Sequence, residues 1–481
     1  MTVDDLYTIL PLIILVSWAL ALLMVDLWIP RNRKGITAIL AALGLVVVIG
    51  VVLGRGHASE TAFNGMVVVD GFAVFLDIVF LAGGLAAIAL AYDYLKRLGI
   101  ERGEYYTLLL LTISGMMLMT YASDLIMVFL ALEFLSIPLY ILAGFARLHL
   151  ESEEAALKYF LLGAFSSAIV LYGISLIFAG SGATQLYTIV AAIQAGEVNY
   201  PLFLVGAAML LVGFSFKSAI VPFHMWVPDV YQGAPSSVSG FMTVGAKAAG
   251  FAALMRVFVI AFPALAVDMT PILWALAALT MVVGNIAAIK QRNIKRLLAY
   301  ASIAQSGYLM MAFVPYGESA VLSDTIAAML FYLVAYSLTT FGAWAVIIAL
   351  EKAGDKGLQI EDYAGLGRKH TGLALAMTVF MLSFTGVPLT LGFWGKFYLF
   401  STAVEGGFVG LALIGLLTSV VSAFYYLRVV AVMFMQPGEP LVRRDPWLNL
   451  TAGVSAVAIV AFSLLPGPLL LLAAQAAIRL F

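Results

Sequence analysis

The chain has 481 residues, of which 63% are hydrophobic and 11% charged, against about 25% charged in ordinary soluble domains. That much apolar surface excludes a soluble globular fold and leaves an integral membrane protein. The formal net charge of −1 supplies no basic field for nucleic acid, and a chain without cysteine holds no disulfide, iron–sulfur cluster or attached c-type haem. The four histidines (His57, His149, His224 and His370) are scattered, and neither GxGxxG nor GxxxxGK[ST] occurs. No cofactor, metal or redox chemistry is expected on this chain itself.

A spanning helix needs about 20 mainly apolar residues. In chain order such runs fall at about 7–29, 36–54, 70–94, 105–121, 125–146, 155–179, 201–222, 236–262, 271–289, 297–315, 324–350, 371–400, 407–434 and 448–478. The expectation is an all-α polytopic membrane protein of 14 transmembrane helices. The acidic start MTVDD and the length of the first run read as a retained helix rather than a leader. The connections at 55–69, 180–200 and 351–370 are too short for a soluble domain.

Lys and Arg in the loops set the orientation. One set of alternate loops holds 19 of them, including Arg31, Arg33, Lys96, Arg97, Arg443 and Arg444. The opposite side has 3, Arg55, Arg256 and Arg479. Both termini are therefore expected away from the cytoplasm. Arg147, Lys290 and Lys295 read as interfacial anchors. Glu153, Glu154 and Lys158 read as a solvated cap of the sixth span, with proton entry as the alternative.

Three lysines belong to neither set. Lys217 lies in MLLVGFSFKSAIVPFHMW, Lys247 in GFMTVGAKAAGF and Lys396 in LTLGFWGKFYLF, while Glu133 lies in VFLALEFLSIPLY. Each buried charge costs about 2.5–3.5 kcal/mol, or on the order of 10 kcal/mol for four. Glu133 with one lysine makes a possible ion pair, which leaves two lysines unexplained, since no other mid-span carboxylate is evident. A buried amine without compensation holds its proton weakly, so lysines in series have the chemistry of a proton relay. His224, just past Pro222, is either a further carrier or a simple hydrogen-bonder. The polar face Tyr300, Ser302, Gln305, Ser306 and Tyr308 either holds ordered water or mediates helix packing.

The charged spans also carry breakers: Pro138 after Glu133, Pro222 after Lys217, and Gly386 with Pro388 before Lys396. Loosened backbone is tolerated in a bilayer only inside protein or beside a cavity, although packing kinks are the plainer alternative. Lys217 and Lys396 lie in the seventh and twelfth spans, five apart. A repeated five-helix unit must be inverted, since an odd number of crossings reverses direction. The expected organisation is a three-helix segment (1–104), two inverted five-helix repeats (105–262 and 263–436) with broken helices 7 and 12, and a C-terminal transmembrane helix (437–481).

The run FKSAIVPFHMWVPDVYQGAPSSVSGFMTVGAKAAGF, with NIKRLLAYASIAQSGYLM, ALEFLSIPLYIL and GVPLTLGFWGKFYLF, resembles the antiporter-like subunits of respiratory complex I, most nearly the subunit N branch. The resemblance covers nearly the whole chain. It implies that Glu133 and Lys217 form a coupling pair, Lys247 a central relay, His224 a connecting group and Lys396 an exit-side station. It further implies a bacterial inner membrane and neighbouring membrane subunits, including a lateral helix from a sister subunit. The resemblance also implies FMN, iron–sulfur clusters and quinone in partner subunits. The competing readings are a subunit of a multi-subunit cation/proton antiporter and a membrane scaffold whose charges only hold an assembly together.

Overall fold

The computed structural model describes residues 2–55, 59–147, 149–352 and 356–478; His57 and Arg479 lie outside them. The N-terminal segment comprises α1 (Val3–Thr8), α2 (Leu10–Asp26), α3 (Gly35–Gly54) and α4 (Gly71–Arg97), with a short antiparallel hairpin, β1 (Glu60–Ala62) and β2 (Val67–Val69), between the last two. Next come α5 (Glu104–Tyr121), α6 (Leu125–Ala143), α7 (Leu150–Ser181), α8 (Leu186–Ala195), α9 (Tyr200–Lys217), α10 (Trp226–Gly233) and α11 (Ser236–Ala261). The second half holds α12 (Ala266–Ile289), α13 (Ile294–Phe313), α14 (Leu322–Leu350), α15 (Leu366–Lys369), α16 (Thr371–Thr385), α17 (Leu391–Glu405) and α18 (Val409–Met435). The chain then continues into α19 (Pro446–Leu464) and α20 (Gly467–Ile478).

Among the described residues ten helices are long and apolar enough to cross a membrane, and they overlap ten of the 14 expected spans. The other four fall short for separate reasons. α2 has only 17 residues, and the twelfth span is split into α16 and α17. α5 and α13 carry polar residues, but the bundle buries nearly all of both, so neither has to be lipophilic on every side. α11 is the innermost helix, buried along almost its whole length, and α14 packs beside it.

The seventh span breaks between Lys217 and Trp226, around Pro222, whereas Pro138 leaves α6 continuous. α9 ends at Lys217, and its chain re-enters as the short α10. The twelfth breaks over 386–390, with Gly386 in the left-handed region at φ 88°. The C-terminal run departs from expectation. The single helix over 448–478 is two helices, because Pro466 and Pro468 flank Gly467 and interrupt the ladder.

Two further corrections concern charge. Arg256, expected in an outer loop, lies inside α11 and is 1% exposed. Its guanidinium donates to both oxygens of Asp70 at 2.9 and 3.0 Å. Asp70 also caps α4 by accepting from the Ala73 amide at 2.9 Å. Asp77, two turns into α4, is the mid-span carboxylate that the hydropathy run conceals. It is buried and accepts from the Tyr121 hydroxyl, so it answers none of the three lysines. Lys295, expected as an interfacial anchor, is buried and donates to the Ala234 carbonyl at 2.8 Å. Arg147 and Lys290 are exposed, as an anchor requires.

The Asp70–Arg256 pair ties the innermost helix to the start of α4, and removing one partner strands a buried charge. Asp70→Asn is expected to destabilise by about 3–5 kcal/mol, read as a lower unfolding midpoint of the detergent-solubilised protein. Replacing both partners with apolar residues recovers most of the loss. A midpoint unchanged by Asp70→Asn would show that the pair does not hold these helices together.

Candidate proton-relay axis

Lys217 is the last residue of α9. A helix C-terminus exposes carbonyls and the negative end of the backbone dipole, which favours a cation there. The break is stapled from the far side: the Trp226 indole, which opens α10, donates to the Phe216 carbonyl at 3.0 Å. The Val221 amide donates to the Thr280 hydroxyl of α12 at 3.0 Å. The backbone turns at Ala219, in the left-handed region at φ 60°, a conformation that costs a residue with a Cβ on the order of 1 kcal/mol.

The Lys217 ammonium is buried and makes no hydrogen bond among the described residues. It packs instead over the rings of Tyr140 at 5.2 Å and Tyr159 at 5.1 Å. Tyr159 is itself stacked on Trp226, centroids 4.5 Å apart. Tyr140 reaches this place because Gly163 leaves room: a Cβ there would meet the Tyr140 hydroxyl at 2.1 Å. Ring faces attract a cation without taking its proton.

Glu133 lies two turns before Tyr140 on α6, half-buried, with Oε1 unbonded. It is within Coulombic reach of Lys217, yet no Glu133–Lys217 ion pair forms within 4.0 Å among the described residues. The simple ion-pair reading is therefore not the arrangement found. His224 lies in the break, half-buried, with Nδ1 unbonded.

Lys247 occupies the middle of α11. Its ammonium donates to the Ser302 carbonyl of α13 and packs over Tyr336 at 5.1 Å. One turn further along α11, a Cβ on Gly250 would meet the Ser218 hydroxyl at 2.7 Å and Lys217 Cβ at 3.1 Å. The face of α11 that carries Lys247 thus rests against the break that carries Lys217. A small cavity, lined by Ser302, Gln305 and Tyr336 but also by Leu298, Trp344 and Phe384, has the volume of about one water.

Lys396, on α17, turns back to the end of α16. It donates to the Thr385 carbonyl at 3.0 Å and the Ser419 hydroxyl at 2.8 Å, and lies over Tyr308 at 4.5 Å. α13 joins the two stations: Ser302 serves Lys247 and Tyr308 serves Lys396, six residues or about 9 Å apart along the helix. Between them the Gln305 amide donates to the Phe384 carbonyl at 3.2 Å and the Tyr426 hydroxyl at 3.3 Å, and accepts from Tyr332. Of the polar face expected on this span, Ser302, Gln305, Ser306 and Tyr308 are buried and Tyr300 is half-buried.

Sequence reasoning missed Asp229, although it stands in the run FKSAIVPFHMWVPDVYQGAPSSVSGFMTVGAKAAGF that carries the resemblance. Its carboxylate accepts from Lys158 of α7 and Arg296 of α13, both at 2.8 Å, and Lys158 also pairs with Glu154 at 2.6 Å. α7 and α13 are thereby clamped to α10 at one edge. Nothing in the spacing distinguishes Asp229 from a solvated loop acid, because its partners come from 71 and 67 residues away. In a chain without cysteine, Val230→Cys on the buried side of α10 reports this clamp. Adding Asp229→Asn is expected to speed maleimide labelling about fivefold, the equivalent of about 1 kcal/mol. Equal rates would mean that the clamp does not hold α10.

Residues 122–422 match the family model described as NADH:quinone oxidoreductase/Mrp antiporter, TM. A protein of Trichlorobacter lovleyi named NADH-quinone oxidoreductase subunit N is 45% identical, with 99% of this chain and 97% of that protein covered. A chain in the structure of respiratory complex I from Thermus thermophilus with bound aureothin is similar at TM-score 0.83 and 38% identity, covering 96% of this chain and 99% of that one. A chain of the Mrp complex from Dietzia shares the fold at TM-score 0.85 with 19% identity, over 99% and 97% of the two chains. The chain belongs to the NADH:quinone oxidoreductase/Mrp antiporter transmembrane family, in its subunit N branch.

Proposed function

We propose that this chain is a proton-translocating membrane subunit of an NADH-quinone oxidoreductase, moving protons through an axis of Glu133, Lys217, His224, Lys247 and Lys396. The observation that carries the reading is Lys217: a buried amine at the end of a broken helix, packed on tyrosine faces and without a hydrogen-bond acceptor among the described residues. The kinship to subunit N proteins supports the assignment to the oxidoreductase, whose electron transfer runs on FMN, iron–sulfur clusters and quinone in partner subunits.

The chemistry follows from the separations. With Glu133 in Coulombic reach but not in contact, movement of α6 relative to α9 changes how strongly the Lys217 amine holds its proton. A change of two pKa units corresponds to about 2.7 kcal/mol, comparable to the roughly 2.3 kcal/mol for moving one charge against 100 mV. The released proton passes by His224 or water to Lys247, then along the polar face of α13 to Lys396. The donors and acceptors between the stations are hydroxyls, an amide and carbonyls, which reorient around ordered water. The two lysine-bearing breaks belong to the inverted repeats 105–262 and 263–436. The face rich in Lys and Arg lies toward the cytoplasm of a bacterial inner membrane, with both termini on the opposite side.

In the assembled complex, Lys217→Ala, Lys247→Ala and Glu133→Ala are each expected to lower proton pumping and coupled NADH:quinone turnover about tenfold or more, measured in membrane vesicles with assembly verified. Wild-type pumping in all three variants would end the relay reading. The antiporter alternative, which shares the fold, predicts purification without flavin or iron–sulfur absorbance; co-isolation of both favours the oxidoreductase.

A further inference from the structure

Away from the lysine axis, α3, α4, α14, α19 and α20 enclose an open groove of about 710 Å³. Its floor is α4 from Gly71 to Tyr92, about 30 Å of helix rise, which matches the hydrocarbon thickness of a bilayer. Its walls are apolar, with Ile39, Leu338, Val454 and Leu472 among them. Spread over that length, the volume leaves a slot narrower than the roughly 10–12 Å of an α-helix with its side chains. A flexible hydrocarbon chain fits it.

One end of the groove is chemically distinct. Tyr92 and Trp447 meet there with ring centroids 5.8 Å apart, the arrangement of an interfacial aromatic belt. Beyond them three arginines gather. Arg97 lies past Tyr92 on α4 and donates to the Ile348 carbonyl at 2.8 Å. Arg443 donates its backbone N–H to the Ala349 carbonyl at 3.1 Å, so both converge on the C-terminus of α14; Arg444 follows. The side chains of Arg443 and Arg444 are exposed, and none of the three arginines forms an ion pair among the described residues. Three carboxylates lie nearby: Asp445, which accepts from the Trp447 and Leu448 amides, Glu351, which accepts from the Tyr94 hydroxyl through one oxygen, and Asp93. Asp445 and Glu351 are buried, whereas the side chains of Arg443 and Arg444 are exposed.

We propose that the groove is a binding site for an anionic phospholipid, with an acyl chain along α4 and the phosphate on Arg97, Arg443 and Arg444. At this depth only hydrocarbon or protein can fill an apolar slot, and the slot is too narrow for a helix. The exposed Arg443 and Arg444 favour negative headgroups over zwitterionic ones, by about fivefold for each cation near the surface.

The test uses the assembled complex with the photo-crosslinking residue p-benzoylphenylalanine in place of Val454, reconstituted in vesicles of phosphatidylglycerol or of phosphatidylcholine. The expected result is a mass increase of one phosphatidylglycerol on this chain, at least tenfold more abundant than the phosphatidylcholine adduct. The double variant Arg443→Gln with Arg444→Gln is expected to remove that preference. Equal adducts from both lipids, unaffected by the arginine changes, would reduce the groove to ordinary lipid contact. Crosslinking to a neighbouring polypeptide would show that protein fills it, and no adduct in either membrane would show that no lipid lodges there. Each of these outcomes overturns the proposal.

Discussion

The arrangement depends on one constraint: the Lys217 amine is buried and, among the described residues, meets no hydrogen-bond acceptor. An ammonium in that position is expensive in an apolar interior, and the surrounding features reduce the cost without removing it. The chain ends α9 at this residue, so that the negative end of a helix dipole lies beside it. Tyr140 and Tyr159 present their faces to it, and Glu133 acts from a distance. An acceptor in direct contact would hold the proton tightly. The looser arrangement leaves the proton transferable.

The remaining lysines are treated differently. Lys247 and Lys396 both donate to backbone carbonyls, and Lys396 also to a hydroxyl. Carbonyls are acceptors only, so they steady an ammonium while offering no competing site for its proton. Both lysines meet α13, whose buried face supplies Ser302 and Tyr308. That helix is polar for its contacts and tolerates this because the bundle buries it, which places Ser306 and Gln305 along the line between two stations. The lysine-bearing break of span 12 mirrors that of span 7: in each a lysine approaches the carbonyl end of a half-helix.

Not every buried charge in the protein has the same character. Asp70 and Arg256 form two parallel hydrogen bonds and are buried together, and Asp77 is bound to Tyr121. The bidentate Asp70–Arg256 pair fixes one charge state and one geometry. It suits the joint between α4 and α11. The contrast between bidentate contact there and separation at Glu133 and Lys217 distinguishes a structural pair from an adjustable one.

Composition and hydropathy determined by themselves that the chain lives in a membrane, where its long helices lie, and that spans 7 and 12 are interrupted. These follow from local chemistry, since a bilayer imposes a helix on any long apolar run and proline or glycine interrupts it. The lysines were legible for the same reason: a charge in an apolar run stands out wherever it later points. Tertiary structure alone decided what each charge meets. It separated Glu133 from Lys217, brought the Tyr140 and Tyr159 rings to the amine, buried Arg256 on Asp70, gave Asp229 its two cations and divided the C-terminal run beside the groove. Those outcomes depend on helices tens to hundreds of residues apart packing side by side, and neither hydropathy nor periodicity encodes which faces will meet.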